Sequence, residues 1–196
     1  ANEYGQLGLG DTNDRHTPVE IAGLSDVKAL TAGWYHTCAL MEQGTVKCWG
    51  SNYCGALGTG DTTDSSTPVD VTNLSGEVSI ILAGGQLDRC DRTCAVLVDN
   101  SLKCWGHNDG LIPTAMNLPA NVRTAGIGEH HVCAAMRDSG VQCWGWNCAG
   151  QTGHGNVCES CWEDIPTEVA SLTGINVVEM TGGWGHTCAL TSEGGV

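Results

Sequence analysis

The residues of this chain best suited to chemistry are thiols, imidazoles and carboxylates. The densest group is Cys148, His154, Cys158 and Cys161. Cys158 and Cys161 form a CxxC step, and with Cys148 and His154 they make up a Cys₃His set of the kind that holds zinc tetrahedrally. The competing reading is a disulfide that closes a small loop between Cys148 and either Cys158 or Cys161. The sequence favours it, because the other cysteines are spaced for cross-links. No βαβ context surrounds the CxxC, which argues against a thioredoxin-like role. Asp11 with Asp14, and Asp61 with Asp64, place carboxylates three apart beside glycine in Gly10-Asp11-Thr12-Asn13-Asp14 and Gly60-Asp61-Thr62-Thr63-Asp64. Such oxygens can meet Ca²⁺. These turns lack the alternating ligands and closing Glu of an EF-hand, and such residues more often bond their own backbone. His36, His131 and His186 recur at one place in successive copies of a phrase, which suits a structural hydrogen bond better than a catalytic base. The chain has no serine nucleophile elbow, HExxH or phosphate loop, and no carboxylate pair stands out for sugar hydrolysis. It reads as a non-enzyme, and its residues call for no cofactor.

Twelve cysteines in 196 residues is high for a reducing cytosol. Cys38 and Cys48, Cys94 and Cys104, and Cys133 and Cys143 are each ten apart. An apolar stretch, a turn and a second apolar stretch lie between the members of each pair, the pattern of a β-hairpin. With the loops centred on Gln43, Asp99 and Asp138, the two cysteines of each hairpin face each other. A non-hydrogen-bonded antiparallel pair brings Cα atoms to about 4.5 Å, close enough for a disulfide. Cys54 lies in the opening loop of its unit. Cys90 lies in an insertion, Gly85-Gln86-Leu87-Asp88-Arg89-Cys90-Asp91-Arg92, that sister units lack. Two extra cysteines in one unit suggest a mutual staple. Cys188 has no partner ten residues on. The implied compartment is secreted: extracellular, cell-surface or periplasmic.

The elements that must position these residues are repeats. The phrase Ala32-Gly33-Trp34-Tyr35-His36-Thr37-Cys38-Ala39-Leu40 returns around Cys94, Cys133 and Cys188. Lys47-Cys48-Trp49-Gly50 returns as Lys103-Cys104-Trp105-Gly106 and Gln142-Cys143-Trp144-Gly145. The opening phrase Asn2 to Thr12 returns from Asn52 to Thr62 and, weakened, from Asn147 to Gly153. A Pro marks a strand-like run at Pro18, Pro68, Pro113 and Pro166. The units read as 1–50, 51–106, 107–145 and 146–196, and the third lacks the Gly-Asp-Thr loop. Short alternating strands and Gly-rich turns with no helical period make the chain all-β. Repeats of this length with several strands suggest propeller blades, which must stack to hide their apolar faces.

These phrases resemble the regulator of chromosome condensation (RCC1) repeat family. The shared pattern is G-x-N-x-x-G-Q-L-G-x-G, then T-P-V, then A-G-x-x-H-T-x-A-L, then G-x-V-x-x-W-G, and it covers the whole chain. The cysteine-bearing version is similar to secreted RCC1-like proteins. The resemblance implies a seven-bladed β-propeller with four-stranded antiparallel blades. Four units are too few to close such a ring, so the chain reads as a piece of a longer one or as an open array. The strand missing from its last unit is expected from further chain or from another copy. The family's nucleotide exchange on a small nuclear GTPase and its chromatin docking are not carried over, because oxidised cysteines and a net charge of −14 speak against both.

That charge also argues against phosphate-tracking surfaces and against anionic lipid. No apolar run reaches the roughly 18 residues of a membrane span. No signal peptide opens the chain at Ala1, so an export signal is expected to have been removed or to lie upstream. Trp49, Trp105 and Trp144 are expected to pack against the hairpin disulfides, while the less regular Trp34, Trp146, Trp162 and Trp184 are candidates for stacking on sugar faces. Asn73-Leu74-Ser75 is the one N-x-S/T sequon, so Asn73 is a glycan acceptor if the source is a eukaryote. The expected role is a non-catalytic extracellular scaffold that binds a protein or glycan at a propeller face. The alternative is a fibre or surface coat in which copies share strands through open blade edges.

Overall fold

A computed structural model describes residues 1–85, 89–138, 140–155 and 162–196. The chain forms two compact units, Ala1–Val98 with Lys103–Ala115, and Asp99–Leu102 with Met116–Val196.

The first unit is built on two four-stranded antiparallel sheets in simple meander order. One contains β1 (Val27–Ala32), β2 (His36–Met41), β3 (Val46–Gly50) and β4 (Ser65–Asp70). The other contains β5 (Val78–Gly84), β6 (Arg92–Leu97), β7 (Leu102–Gly106) and β8 (Gly110–Ala115). Cys38, Leu40, Val46 and Cys48 of the first sheet share a core with Ile81, Ala95, Leu97 and Trp105 of the second. This packing buries Ala95 and Leu97 on one face of β6. In the second unit, β9 (Val122–Ile127), β10 (His131–Met136), β11 (Val141–Trp146) and β12 (Trp162–Glu168) repeat the four-stranded sheet. β13 (Val177–Gly182) and β14 (Thr187–Thr191) form a two-stranded one. Cys133, Ala135, Val141, Cys143 and Val169 pack there with Val177 and Met180. Among the described residues no helix is long and apolar enough to cross a membrane.

Each four-stranded sheet straddles a boundary of the repeat as read from sequence. Its fourth strand comes from the next copy, after the glycine-rich opening phrase. Pro68, Pro113 and Pro166 therefore sit on β4, β8 and β12, the outermost strands, where a missing N–H breaks no ladder. Pro18, their counterpart in the first copy, lies outside any strand. The third copy has no opening loop, and Asp109 N bonds Gly106 O to turn β7 tightly into β8.

The hairpin register opposes Cys38 to Cys48 and Cys133 to Cys143. Disulfides join these pairs and Cys94–Cys104, each with Cα atoms 4.1 Å apart. Closing a loop of this length removes about 3 kcal/mol of unfolded-chain entropy. The glycine after each of these tryptophans is fixed by sterics. Gly50, Gly106 and Gly145 have φ of 111°, 94° and 107°. A Cβ there would strike the carbonyl oxygen of Tyr35, Asp91 or His130.

Candidate functional site

The repeated Gly-x-x-His phrase builds a buried latch. Gly33 leaves room for the His36 imidazole, which a Cβ would overlap, and Gly128 and Gly183 do the same for His131 and His186. His36 Nδ1 donates to Asp91 Oδ2 at 2.8 Å, and Nε2 lies 2.8 Å from Thr93 Oγ1. Asp91 Oδ2 also accepts from Tyr35 N at 2.8 Å. Thr93 donates its hydroxyl proton to Ala56 O at 2.8 Å, and Trp105 Nε1 donates to the same carbonyl. Hydroxyl, imidazole and carboxylate thus stand in the order of a nucleophilic relay. All three are fully buried, and the hydroxyl proton is committed to a backbone carbonyl, so the set joins sheets rather than attacks substrates. In the second unit His131 Nε2 lies 2.7 Å from Thr187 Oγ1, which donates to Gln151 O. Arg92 takes the His place in the second copy, and there it pairs with Asp109 and donates to His107 O.

The accessible chemistry of the first unit lies at the end where β1 turns into β2 and β3 leaves for β4. Trp34 and Tyr35 occupy the first connection, and Tyr53 rides on the second. Tyr4 stands edge-on to Tyr35 at 5.1 Å, with Trp34 at 6.4 Å from Tyr35. Trp34 is 52% exposed and Tyr53 60%. Arg89, from the insertion, stacks its guanidinium 4.0 Å from the Tyr4 ring centre and 5.4 Å from that of Tyr53. It donates to Asp64 Oδ2 at 2.8 Å and to Ser51 Oγ at 3.2 Å. Cys54, next to Tyr53, is joined to Cys90, next to Arg89, with Cα atoms 5.0 Å apart. The cross-link thus holds the cation beside the rings. In the second unit Trp146 lies edge-on to His130 and to Trp184, which is 63% exposed.

The carboxylates weighed for Ca²⁺ are occupied by their own loops. Asp11 Oδ1 accepts from Asn13 N and its Oδ2 meets Arg15 at 2.6 Å. These contacts, Arg15 first, hold its carboxyl below the usual 3.8. Asp61 Oδ1 accepts from Thr63 N, Thr59 Oγ1 and Asn52 Nδ2. The Thr63 backbone bond, then the Thr59 hydroxyl, lowers its carboxyl in the same way. Asp14 and Asp64 accept from the backbone N–H of Asn2 and Asn52 at 2.7 Å. Of the residues weighed for zinc, Cys148 is in a disulfide. His154 pairs with Glu163 at 2.7 Å and with the Thr167 carbonyl at 3.0 Å. Cys158 and Cys161 lie outside the described residues. No group of three His, Cys, Asp or Glu side chains among the described residues is arranged to hold a metal. Asn73 is exposed at φ 55°, and the Ser75 hydroxyl of its sequon accepts from Lys103 Nζ at 2.6 Å. Cys188 is an exposed free thiol.

Sequence reasoning missed Arg89 and Asp91 as site residues. The one available signal was that both sit in an insertion that the sister units lack.

Residues 1–40, 43–87 and 138–190 match the family profile described as regulator of chromosome condensation (RCC1) repeat, and a second profile of that description matches residues 27–56. The chain is 34% identical to the ultraviolet-B receptor UVR8 of Arabidopsis thaliana over 210 residues, which cover 100% of this chain and 46% of the receptor. Among solved structures it superposes on Prp20p of Saccharomyces cerevisiae with a TM-score of 0.79 at 18% identity, covering 94% of this chain and 49% of the other. Human WBSCR16 gives 0.78 at 21% identity, covering 98% and 54%. The chain thus spans about half the length of the relatives it matches, and the structural likenesses show the fold.

Proposed function

Because this chain belongs to the RCC1 repeat family, we propose that it is a non-catalytic scaffold, working outside the reducing cytosol, that binds a protein partner through the loop end of its propeller sheets. The observation that carries this reading is the Tyr4, Trp34, Tyr53 and Arg89 platform. Trp, Tyr and Arg dominate the energetics of protein interfaces. Here they sit on loops held by a rigid disulfide-stapled body, the usual arrangement for binding residues. Arg89 is already stacked and ion-paired, so little ordering entropy remains to be lost on binding. Net charge −14 disfavours nucleic acid as the partner. Prp20p has been described with its binding to Gsp1p and histones, which supports protein binding as a use of this fold.

The test is affinity capture from the surface and secreted fractions of source cells, with native, Trp34→Ala and Arg89→Ala chains compared by quantitative mass spectrometry. A protein retained by the native chain and lost with both variants supports the reading. Equal retention by all three sinks it. A glycan partner is the second reading, favoured by the exposed Trp34 and Trp184, and a glycan array separates it from the first. The fibre reading predicts rods, and negative-stain images distinguish these from compact particles.

A further inference from the structure

Three successive residues of the insertion are tied to three different anchors. Arg89 stacks on Tyr4 and Tyr53 and pairs with Asp64. Cys90 is cross-linked to Cys54. Asp91 accepts from His36 Nδ1 and from Tyr35 N, and its own carbonyl accepts from His107 N at 3.0 Å. The anchors differ in strength. Asp91 is fully buried, and Gly84 faces Arg92 across the β5–β6 ladder, so the sheet itself closes the base of the insertion. Arg89 meets weaker anchors. Its ion pair with Asp64 is partly open to water, where ion pairs and cation–ring contacts hold weakly. Its backbone has φ 69°, a left-handed conformation that a long side chain avoids. Arg89 therefore stays on the rings because Cys90, next in the chain, is fixed to Cys54.

The hairpin cystines and this staple differ in access. Cys38, Cys48, Cys94, Cys104 and Cys133 are wholly buried, and Cys143 nearly so. Cys54 and Cys90 are half-buried. Exchange needs an attacking thiolate to reach a sulfur atom, so access decides which cystine opens first. The Arg89 cation is next in the chain to Cys90, and a neighbouring cation favours the thiolate that leaves there. The Cys54 side is held without the staple. Gly55 N donates to Asn52 O and Leu57 N to Asn52 Oδ1, and Ala56 O accepts from Thr93 and Trp105.

We propose, on the reading of Tyr4, Trp34, Tyr53 and Arg89 as the binding platform, that Cys54–Cys90 is a redox-cleavable site for a dithiol reductant, and that its opening releases Arg89 from the rings and switches the platform off. One thiolate of the reductant attacks Cys54 Sγ. A mixed disulfide forms, the Cys54–Cys90 bond breaks, and the Cys90 thiolate leaves and takes up a proton. The reductant's second thiolate then attacks its own sulfur in the mixed disulfide. The reductant is oxidised to a cyclic disulfide, Cys54 leaves as a thiolate and is protonated, and two electrons have passed to the cysteine pair. Arg89 then relaxes out of its positive φ. Asp91 keeps His36 and Tyr35, so the two sheets stay joined.

The test uses the native chain with free thiols first blocked by N-ethylmaleimide. The chain is then treated with dithiothreitol in native buffer, and newly freed thiols are labelled with iodoacetamide and mapped by mass spectrometry. Cys54 and Cys90 should label at least about tenfold faster than the cysteines of the three hairpins. In the opened chain the bond after Arg89 should become accessible to trypsin, while hydrogen exchange of the β5 and β6 amides stays as in the native chain. Equal labelling of the hairpin cysteines overturns the proposal, as does an opened staple with Arg89 still resistant to trypsin. Faster exchange in β5 and β6 also overturns it, because the staple would then be structural. A partner captured by the native chain should be lost from the opened, alkylated one, and equal capture by both rejects the switch while leaving the platform intact. Capture that does not depend on Trp34 or Arg89 removes the platform instead, with the labelling and trypsin results still standing.

Discussion

His36 Nε2 and Thr93 Oγ1 lie 2.8 Å apart, joining β2 of one sheet to β6 of its neighbour across 57 residues of chain. Both side chains are fully buried, and Thr93 also carries the bond to Ala56 O. His36→Ala removes one donor from the buried Asp91 carboxylate, which keeps the Tyr35 N–H, and opens a cavity above Gly33. The expected cost is about 2–4 kcal/mol, from the lost buried hydrogen bonds and the cavity together. Thr93→Val keeps the volume and removes one hydroxyl, so about 1–3 kcal/mol is expected. Urea unfolding of the two single variants and the double variant measures this. The double variant should cost less than the sum of the two, because the residues share one network.

Gly50 tests whether the glycine after tryptophan is a steric requirement. Its φ of 111° and the Tyr35 carbonyl both oppose a side chain. Gly50→Ala should lose more than about 2 kcal/mol, well beyond the ordinary Gly-to-Ala effect. Gly174→Ala is the control. It shares a positive φ of 80° but has nothing within 4 Å of the added Cβ. Thermal unfolding should rank Gly50→Ala clearly below Gly174→Ala.

The Cys54–Cys90 cross-link positions Arg89 over Tyr4 and Tyr53. A Cys54→Ser, Cys90→Ser chain should lose up to about 3–4 kcal/mol, as expected for closing a loop of 36 residues. It should also expose the bond after Arg89 to trypsin under conditions where the native chain resists. Cleavage at the same rate in both chains would detach the staple from the positioning of Arg89.

The parts of this architecture that were legible in the sequence are those governed by short-range periodicity. A strand alternates sides every residue, so a ten-residue spacing about Gln43 sets Cys38 opposite Cys48, and the recurrence of Cys-Trp-Gly marks each hairpin. The phase of the sheets was not legible in this way. The opening phrase reads as the start of a unit, yet the strand after it closes the preceding sheet, because Pro68 is admissible only on an outer edge. The latch and the platform were less legible still. Asp91 meets His36 from 55 residues away and Arg89 meets Tyr4 from 85 away. Such contacts follow from the stacking of sheets and leave no local pattern.

Acid should act on two kinds of carboxylate with opposite sign. Asp61 is held below 3.8 by the Thr63 N–H and the Thr59 hydroxyl, and Asp11 by Arg15 and the Asn13 N–H. For these groups the folded chain prefers the ionised form. Their contribution is complete above 3.8 and is lost as pH falls through the lowered folded value. Asp109 runs the other way. Burial raises its carboxyl above 3.8 against the pull of Arg92, so its contribution is complete below 3.8 and is lost as pH rises through the raised value. Hydrogen exchange of the 58–63 amides should therefore accelerate as pH drops below 3.8, relative to the intrinsic rate. Asp61→Asn should abolish that pH dependence. Asp109→Asn should leave it intact while flattening the stability change just above 3.8 in urea titrations. The loops and the sheet edge then titrate separately, which follows if Asp61 answers to its own turn and Asp109 to the buried Arg92.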